Sequence, residues 1–340
     1  MARVFSYLNG STSLSTPLMC SSSSSFYRPM AVKMGQNQSY WASIETDIEA
    51  HLKKFISIRP PESVFEPMHY LTFATPKSTA PALCIAVCEL LGGDRAQAMA
   101  AASAIHLMHV VSYTYQHMQT AMKPEPGPAI RLEFGPNADG IAPSKPLGPA
   151  RKNSNKNLSL IEPELEKGIE HKFGPNIELQ MRDAITSFAI ELLTKALSPA
   201  RNNTDKIMRV IVEVTRSFGS RGLLEGHYRE IEWSRSGNQD EEVLEYMCKK
   251  KEGEIYACGA ACGAILGDGS DEEVENLRNY GLYVGIIQGI TKGVGRNYNK
   301  KRMEKRVEEL RVLAMKELNT NFKGKKLMRQ IASLVEESLS

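Results

Sequence analysis

Apolar residues in this chain recur at intervals of three and four rather than two, a period that predicts helices almost throughout. Trp41, Ile44, Ile48, Leu52 and Phe55 make the first such stripe. It reads as the buried face of one amphipathic helix, and the RPPE turn at Arg59 to Glu62 ends that helix because proline removes a donor and clashes with the preceding turn. A second element follows Val64. Ala82 to Leu91 is a short apolar helix stopped by Gly92 and Gly93, with Asp94 placed to cap the next one. That next helix is long and closes on MHVVSYTYQHMQT, residues 108–120. Its end carries Tyr113, Tyr115, Gln116, His117 and Met118, a pocket-like set with no carboxylate, no hydroxyl-base pair and no metal ligands.

Further along, Ile207, Val210, Ile211 and Val214 mark an amphipathic helix, and Val243 to Leu266 is long enough for a central one. Ser270 and Glu273 have capping-box spacing ahead of Val274, Leu277 and Val284. Met303, Val307, Leu310 and Leu313 line one face of a charged helix on the outside of a bundle. The fold class is therefore all-α, one large helical domain over residues 37–340. The exception lies at about 123–168, where proline and glycine forbid a long helix and a disordered insertion is expected. It contains FGPN at Phe134 to Asn137, repeated at Phe173 to Asn176, where the second copy leads into a good helix. A segment of this length inside a compact domain is functional, disordered or inserted, and a gene-model artefact is the bland alternative.

Composition changes this picture in two ways. Lys and Arg total 42 against 39 for Asp and Glu, and a dispersed net charge of +3 favours neither nucleic acid nor a membrane surface. No apolar run reaches the roughly 18 residues of a membrane span. The first acidic residue is Glu45, and residues 1–36 are rich in serine and threonine with scattered bases. That composition predicts a disordered organelle transit peptide, of plastid type because serine dominates and arginine is sparse, addressed to the stroma. The folded part then starts near Asn37 or Tyr40.

LLGGDRAQAMAAASAIHLMH and the later GAILGDGSDEEVENLRNYGLYVGIIQGI resemble the short-chain trans-isoprenyl diphosphate synthases, especially the plant geranylgeranyl diphosphate synthases. The resemblance runs from about Glu45 to the C terminus, the insertion apart, and implies an isoprenyl diphosphate synthase-like helical bundle. Active members ionise an allylic diphosphate with Mg²⁺ held by two aspartate-rich motifs on two helices. Here the first motif would begin after Tyr115, so Gln116 and His117 stand where Asp-Asp belongs. Gln288 and Gly289 stand at the family's Phe-Gln, and Lys292 and Gly293 at its second Asp-Asp, where a lysine repels the metal. No two aspartates are adjacent anywhere in the chain. The acidic clusters Asp240 to Glu242 and Asp271 to Glu273 fall at helix starts, where they cap and meet the macrodipole. No catalytic residue and no metal site is expected. The family's stretch for the homoallylic diphosphate survives as Thr75 to Pro81 with Lys77 alone of its three bases. The Lys-Thr pair becomes Lys251 and Glu252, and His109 matches a histidine near the same diphosphate. Lys77, His109 and Lys251 are thus candidates for residual diphosphate contact, weighed against a core histidine and solvated lysines.

Cysteines sharpen the resemblance. Of six, Cys20 lies in the leader and Cys248 stands alone, while Cys84 and Cys88 form CIAVC and Cys258 and Cys262 form CGAAC. At helical i, i+4 spacing the Cβ atoms are about 5–6 Å apart, too far for a relaxed disulfide. A zinc site of four thiolates competes with free thiols as small packing residues, and packing fits better because structural zinc prefers the tighter CxxC knuckle. The near-bare helix surface from Ala257 to Ala264 admits another helix closely, within this chain or from a second one. Paired CxxxC motifs on a synthase-like chain without aspartate motifs resemble the small subunits of plant heteromeric geranyl diphosphate synthases. That resemblance implies that Cys84, Cys88, Cys258 and Cys262 form or support an interface with a geranylgeranyl diphosphate synthase-type large subunit. It also implies a heterodimer or heterotetramer, no cofactor on this chain, Mg²⁺ on the partner, and a shift of product toward geranyl diphosphate for monoterpenes. The rivals are an autonomous prenyltransferase with degenerate motifs and an isoprenoid diphosphate-binding protein.

Overall fold

All regular elements among the described residues are helical. The computed structural model describes residues 28–121, 172–196, 203–236, 241–291 and 300–337. The leader up to residue 27, the whole insertion at 123–168, and Lys292 with Gly293 lie outside them, as do the side chains of His117 and Met118. The chain divides into two compact units, Met1–Tyr40 and Trp41–Ser340. What is described of the first unit is helix, the start of α1 (Arg28–Phe55), so helix begins inside the segment read as leader.

In the second unit the expected stripe is buried at Trp41, Ile44, Ile48 and Leu52, but Ile56 rather than Phe55 completes it. Helix α2 (Glu62–Ala74) starts at Glu62, ahead of the position expected. Helix α3 (Ala80–Leu90) takes Pro81 in its first turn, where the missing N–H costs nothing, and stops before Gly92 at φ +96°. Helix α4 (Arg95–Ala121) opens on Asp94, whose backbone N–H donates to the Gln97 side chain at 3.3 Å while the Ala96 N–H donates to its carboxylate at 3.4 Å. Helices α5 (Pro175–Lys195), α6 (Thr204–Phe218) and α7 (Leu223–Ser236) follow.

The run expected as one central helix is continuous, with a π-helical insertion. It comprises α8 (Glu241–Cys248), a π-helical turn at Lys249–Gly253, and α9 (Glu254–Leu266). Helix α10 (Asp271–Gly289) carries the expected capping box, with the Glu273 N–H donating to Ser270 Oγ and the Ser270 N–H donating to Glu273 Oε2. Helices α11 (Lys300–Asn321) and α12 (Met328–Glu337) complete the bundle. Val307 and Leu310 of α11 face inward, and the buried Tyr280 hydroxyl of α10 donates to the Ile331 carbonyl of α12 at 2.5 Å.

Helix α9 is the axis, buried from Ile255 to Leu266 and packed between α3 and α10, with α4 and α6 also against it. Two glycine rows allow the close approach. A Cβ on Gly259 would stand 2.5 Å from the Ala80 carbonyl oxygen, and one on Gly281 2.4 Å from that of Tyr256. Backbones this near exclude any side chain between them.

Candidate functional site

The two CxxxC motifs meet at the contact of α3 with α9. Cys84, Cys88, Cys258 and Cys262 have no exposed surface, and all are free thiols, as is Cys248. Cys258 Sγ and Cys262 Sγ are 3.8 Å apart, a contact rather than a bond. Burial holds the Cys84 thiol well above its ordinary pKa, and burial together with Glu89 pushes Cys88 up to about 12. Such thiols stay protonated and unreactive at neutral pH. With no sulfur exposed, these residues reach a second chain only through the helices they space. Among the described residues, no group of three or more His, Cys, Asp or Glu could hold a metal ion.

The first motif position offers an amide, Gln116, where a metal-binding carboxylate would stand, and the second, Lys292 with Gly293, lies outside the described residues. Tyr115 and Gln116 close the described side chains of α4, and Gln288 with Gly289 closes α10. A neutral amide lacks the charge that a hard dication requires of its first ligands. Gln116 does not fit Mg²⁺.

Of the candidate diphosphate contacts, His109 is joined to the stretch holding Lys77, and Lys251 belongs to a separate cluster. The Thr75–Pro81 stretch is tied down on several sides. Thr75 Oγ1 donates to the Leu71 carbonyl at 2.7 Å, Thr79 Oγ1 meets the Tyr256 hydroxyl at 2.7 Å, and His109 Nε2 lies 3.1 Å from the Pro76 carbonyl oxygen. Since a carbonyl only accepts, His109 Nε2 carries the proton and spends it on the backbone. His106 does the same toward the Thr72 carbonyl at 3.2 Å, and burial above all lowers its pKa to about 4. Lys77 Nζ lies 2.9 Å from Glu49, which also binds Lys53 at 2.7 Å. Those two lysines, Lys53 first, hold the Glu49 carboxyl at about 2. The cleft beside Lys77, lined by Glu49, Thr72, Thr75, Ser78 and His106, holds about 40 Å³, space for little more than water.

Lys251 sits on the π turn against α7, with Nζ 2.7 Å from Glu230 Oε2. The adjacent Lys250 lies 3.1 Å from Glu225 of the same helix and donates to the Arg221 carbonyl at 2.6 Å. The close crossing at Gly226, where a Cβ would stand 2.8 Å from the Lys251 side chain, seats this turn against α7. Tyr115 completes the neighbourhood, its ring 4.9 Å from the His227 ring and 4.9 Å from the Arg182 guanidinium. Sequence reasoning missed Glu49, Arg182, His227 and Glu230. The one available signal was that each candidate lysine needs a counter-charge.

An all-α bundle of this kind shares the fold of the isoprenyl diphosphate synthases. No family model matches the chain. It is 41% identical to the heterodimeric geranylgeranyl pyrophosphate synthase small subunit 2, chloroplastic, of Cannabis sativa, over 92% of this chain and 99% of that relative. The solved geranyl diphosphate synthase small subunit of Antirrhinum majus shares 45% identity, with a TM-score of 0.68 over 88% of this chain and 98% of that one. A chain of the mint heterotetrameric geranyl pyrophosphate synthase, a deletion mutant in complex with ligands, shares 42% with a TM-score of 0.67, covering 88% and 99%. The chain belongs to the family of heteromeric prenyl diphosphate synthase small subunits.

Proposed function

We propose that the chain is a regulatory subunit that performs no chemistry, binds a geranylgeranyl diphosphate synthase-type large subunit, and biases it toward geranyl diphosphate for monoterpene synthesis. The observation that carries the reading is Gln116 at the end of α4, an amide where the family's first aspartate motif would begin, in a chain of the small-subunit family. Mg²⁺ and all bond-making then belong to the partner. A subunit without a reacting centre changes product length only by binding partner conformations unequally. Relatives named heterodimeric and heterotetrameric support a stable heteromer, and relatives named chloroplastic support delivery to the plastid stroma by a leader within residues 1–36.

Cys84, Cys88, Cys258 and Cys262 serve the partner interface from beneath, by setting the spacing of α3 against α9 with the smallest polarizable side chains available. The test is assay of the purified chain with dimethylallyl and isopentenyl diphosphates and Mg²⁺, with and without a geranylgeranyl synthase. No turnover alone and a larger geranyl diphosphate fraction in the mixture are expected. Turnover by the chain alone, in a preparation free of host synthase, would overturn the reading.

A further inference from the structure

Lys251 and Glu230 meet at 2.7 Å between the π turn and α7, and the same carboxylate lies 3.7 Å from His227 Nδ1. His227 is 3% exposed, and neither of its ring nitrogens has a hydrogen-bond partner. Arg182 Nε, over the far neighbour Tyr115, is likewise buried without one. A neutral imidazole always carries one N–H, so the His227 ring holds an unsatisfied donor beside the Lys251–Glu230 pair. Buried donors are normally paired, and an unpaired one is destabilising. Lys251 and His227 make a pair of donors suited to an oxyanion, and among the described residues the carboxylate that meets both is Glu230.

We propose that Glu230 is an internal anion that closes this cationic site, so that the folded chain takes no phosphate or diphosphate group there. The contact is autoinhibitory, because removal of one negative charge leaves Lys251 uncompensated in a part-buried position, where attraction for an external oxyanion is strong. Burial alone would push the Glu230 carboxyl up, yet the Lys251 ammonium leads the effects that outweigh it and hold it at about 2. The anion is therefore permanent at any physiological pH. A similar arrangement in a more exposed setting joins Glu49 to Lys77. For a regulatory subunit the benefit is that it does not sequester the diphosphates its partner consumes. That meaning rests on the function proposed above, whereas the binding measurement does not involve the partner at all.

The experiment is calorimetric titration of the full chain with inorganic pyrophosphate, without divalent metal, at low ionic strength. Wild type is expected to show no saturable binding up to low-millimolar ligand. Glu230→Gln and Glu230→Ala, run in parallel so that misfolding of one leaves the other to decide, are expected to bind at least about tenfold more tightly, a change of about 1.4 kcal/mol. Glu230→Asp, which keeps the charge, stays like wild type. The gain disappears in Glu230→Gln with Lys251→Gln. Wild-type binding as tight as that of the variants, no gain in a folded variant, or a gain that survives loss of Lys251 each overturns the proposal.

Discussion

Gly263 of α9 faces the backbone of Cys84 on α3 so closely that a Cβ at position 263 would stand 2.2 Å from the Cys84 carbonyl oxygen. The obstacle is main chain on a buried helix and not the tip of a flexible side chain. Gly263→Ala is therefore expected to force α3 and α9 apart and to destabilise the chain by about 1–3 kcal/mol or more, despite alanine's better helix propensity. Urea denaturation of wild type and variant checks this. An unchanged midpoint would show that the two helices are not held at this distance.

Much of this packing was legible in the sequence, and the reasons are local. The stripe from Trp41 to Leu52 and the pairing of Ser270 with Glu273 are set by residues within one or two turns, where spacing decides geometry. The π turn at Lys249–Gly253 was not legible, because its sequence, KKKEG, contains no proline that would break a helix, and its packing against α10 and α7 arises only in the folded bundle. The counter-charges were equally hidden. Glu230 lies 21 residues before Lys251, and Glu49 lies 28 before Lys77. No helical period links such pairs, and only the packed bundle does. The four motif cysteines stood out by type and spacing, but their complete burial inside one chain needed the structure.

Acid should destabilise the fold in a window set by His106. Its folded pKa is depressed from 6.5 to about 4, chiefly by burial, with His109 and Lys77 adding to the effect. An unfolded chain binds the proton first, so the contribution is present above about 6.5 and is lost as pH falls toward 4. On the order of 3 kcal/mol is at stake at the lower end. Glu49 and Glu230, both held at about 2, act with the same sign in the lower window between 4.5 and 2. Stability measured by denaturant from pH 7 to 4 should fall in wild type and fall less in His106→Gln. Parallel curves would place the titrating group elsewhere.

Alkali should act through the thiols. Cys88 and Cys248 are both pushed up to about 12, with burial the largest cause in each. A raised folded pKa means that the unfolded chain loses its proton first, so stability holds below about 9 and declines as pH rises toward 12. The buried hydroxyl of Tyr256, also raised to about 12, adds to the decline above 10. In Cys88→Ala with Cys248→Ala the loss between pH 8 and 10 should be smaller than in wild type. A native-state thiol reagent should label the described cysteines slowly until denaturant is added, and rapid labelling of the folded chain would contradict the burial.

The motif cysteines give the sharpest separation between a packing role and a chemical one. If Cys84 and Cys262 fill space between α3 and α9, serine at either position brings a hydroxyl into an apolar contact, at a cost of about 1–3 kcal/mol where it finds no acceptor. Alanine leaves only a small gap and should cost less. Reductant and chelator should change neither melting nor association, because bridging would respond to the first and zinc to the second. The partner enters through a second readout, co-purification of each variant with a geranylgeranyl synthase-type large subunit. Since no sulfur is exposed, weakened pairing should track the lowered melting temperature, serine below alanine in both. Lost pairing at unchanged melting would mean that these side chains reach the partner directly, which requires α3 and α9 to open in the complex. Lowered melting with pairing fully retained would confine the cysteines to the core and place the interface on other helices.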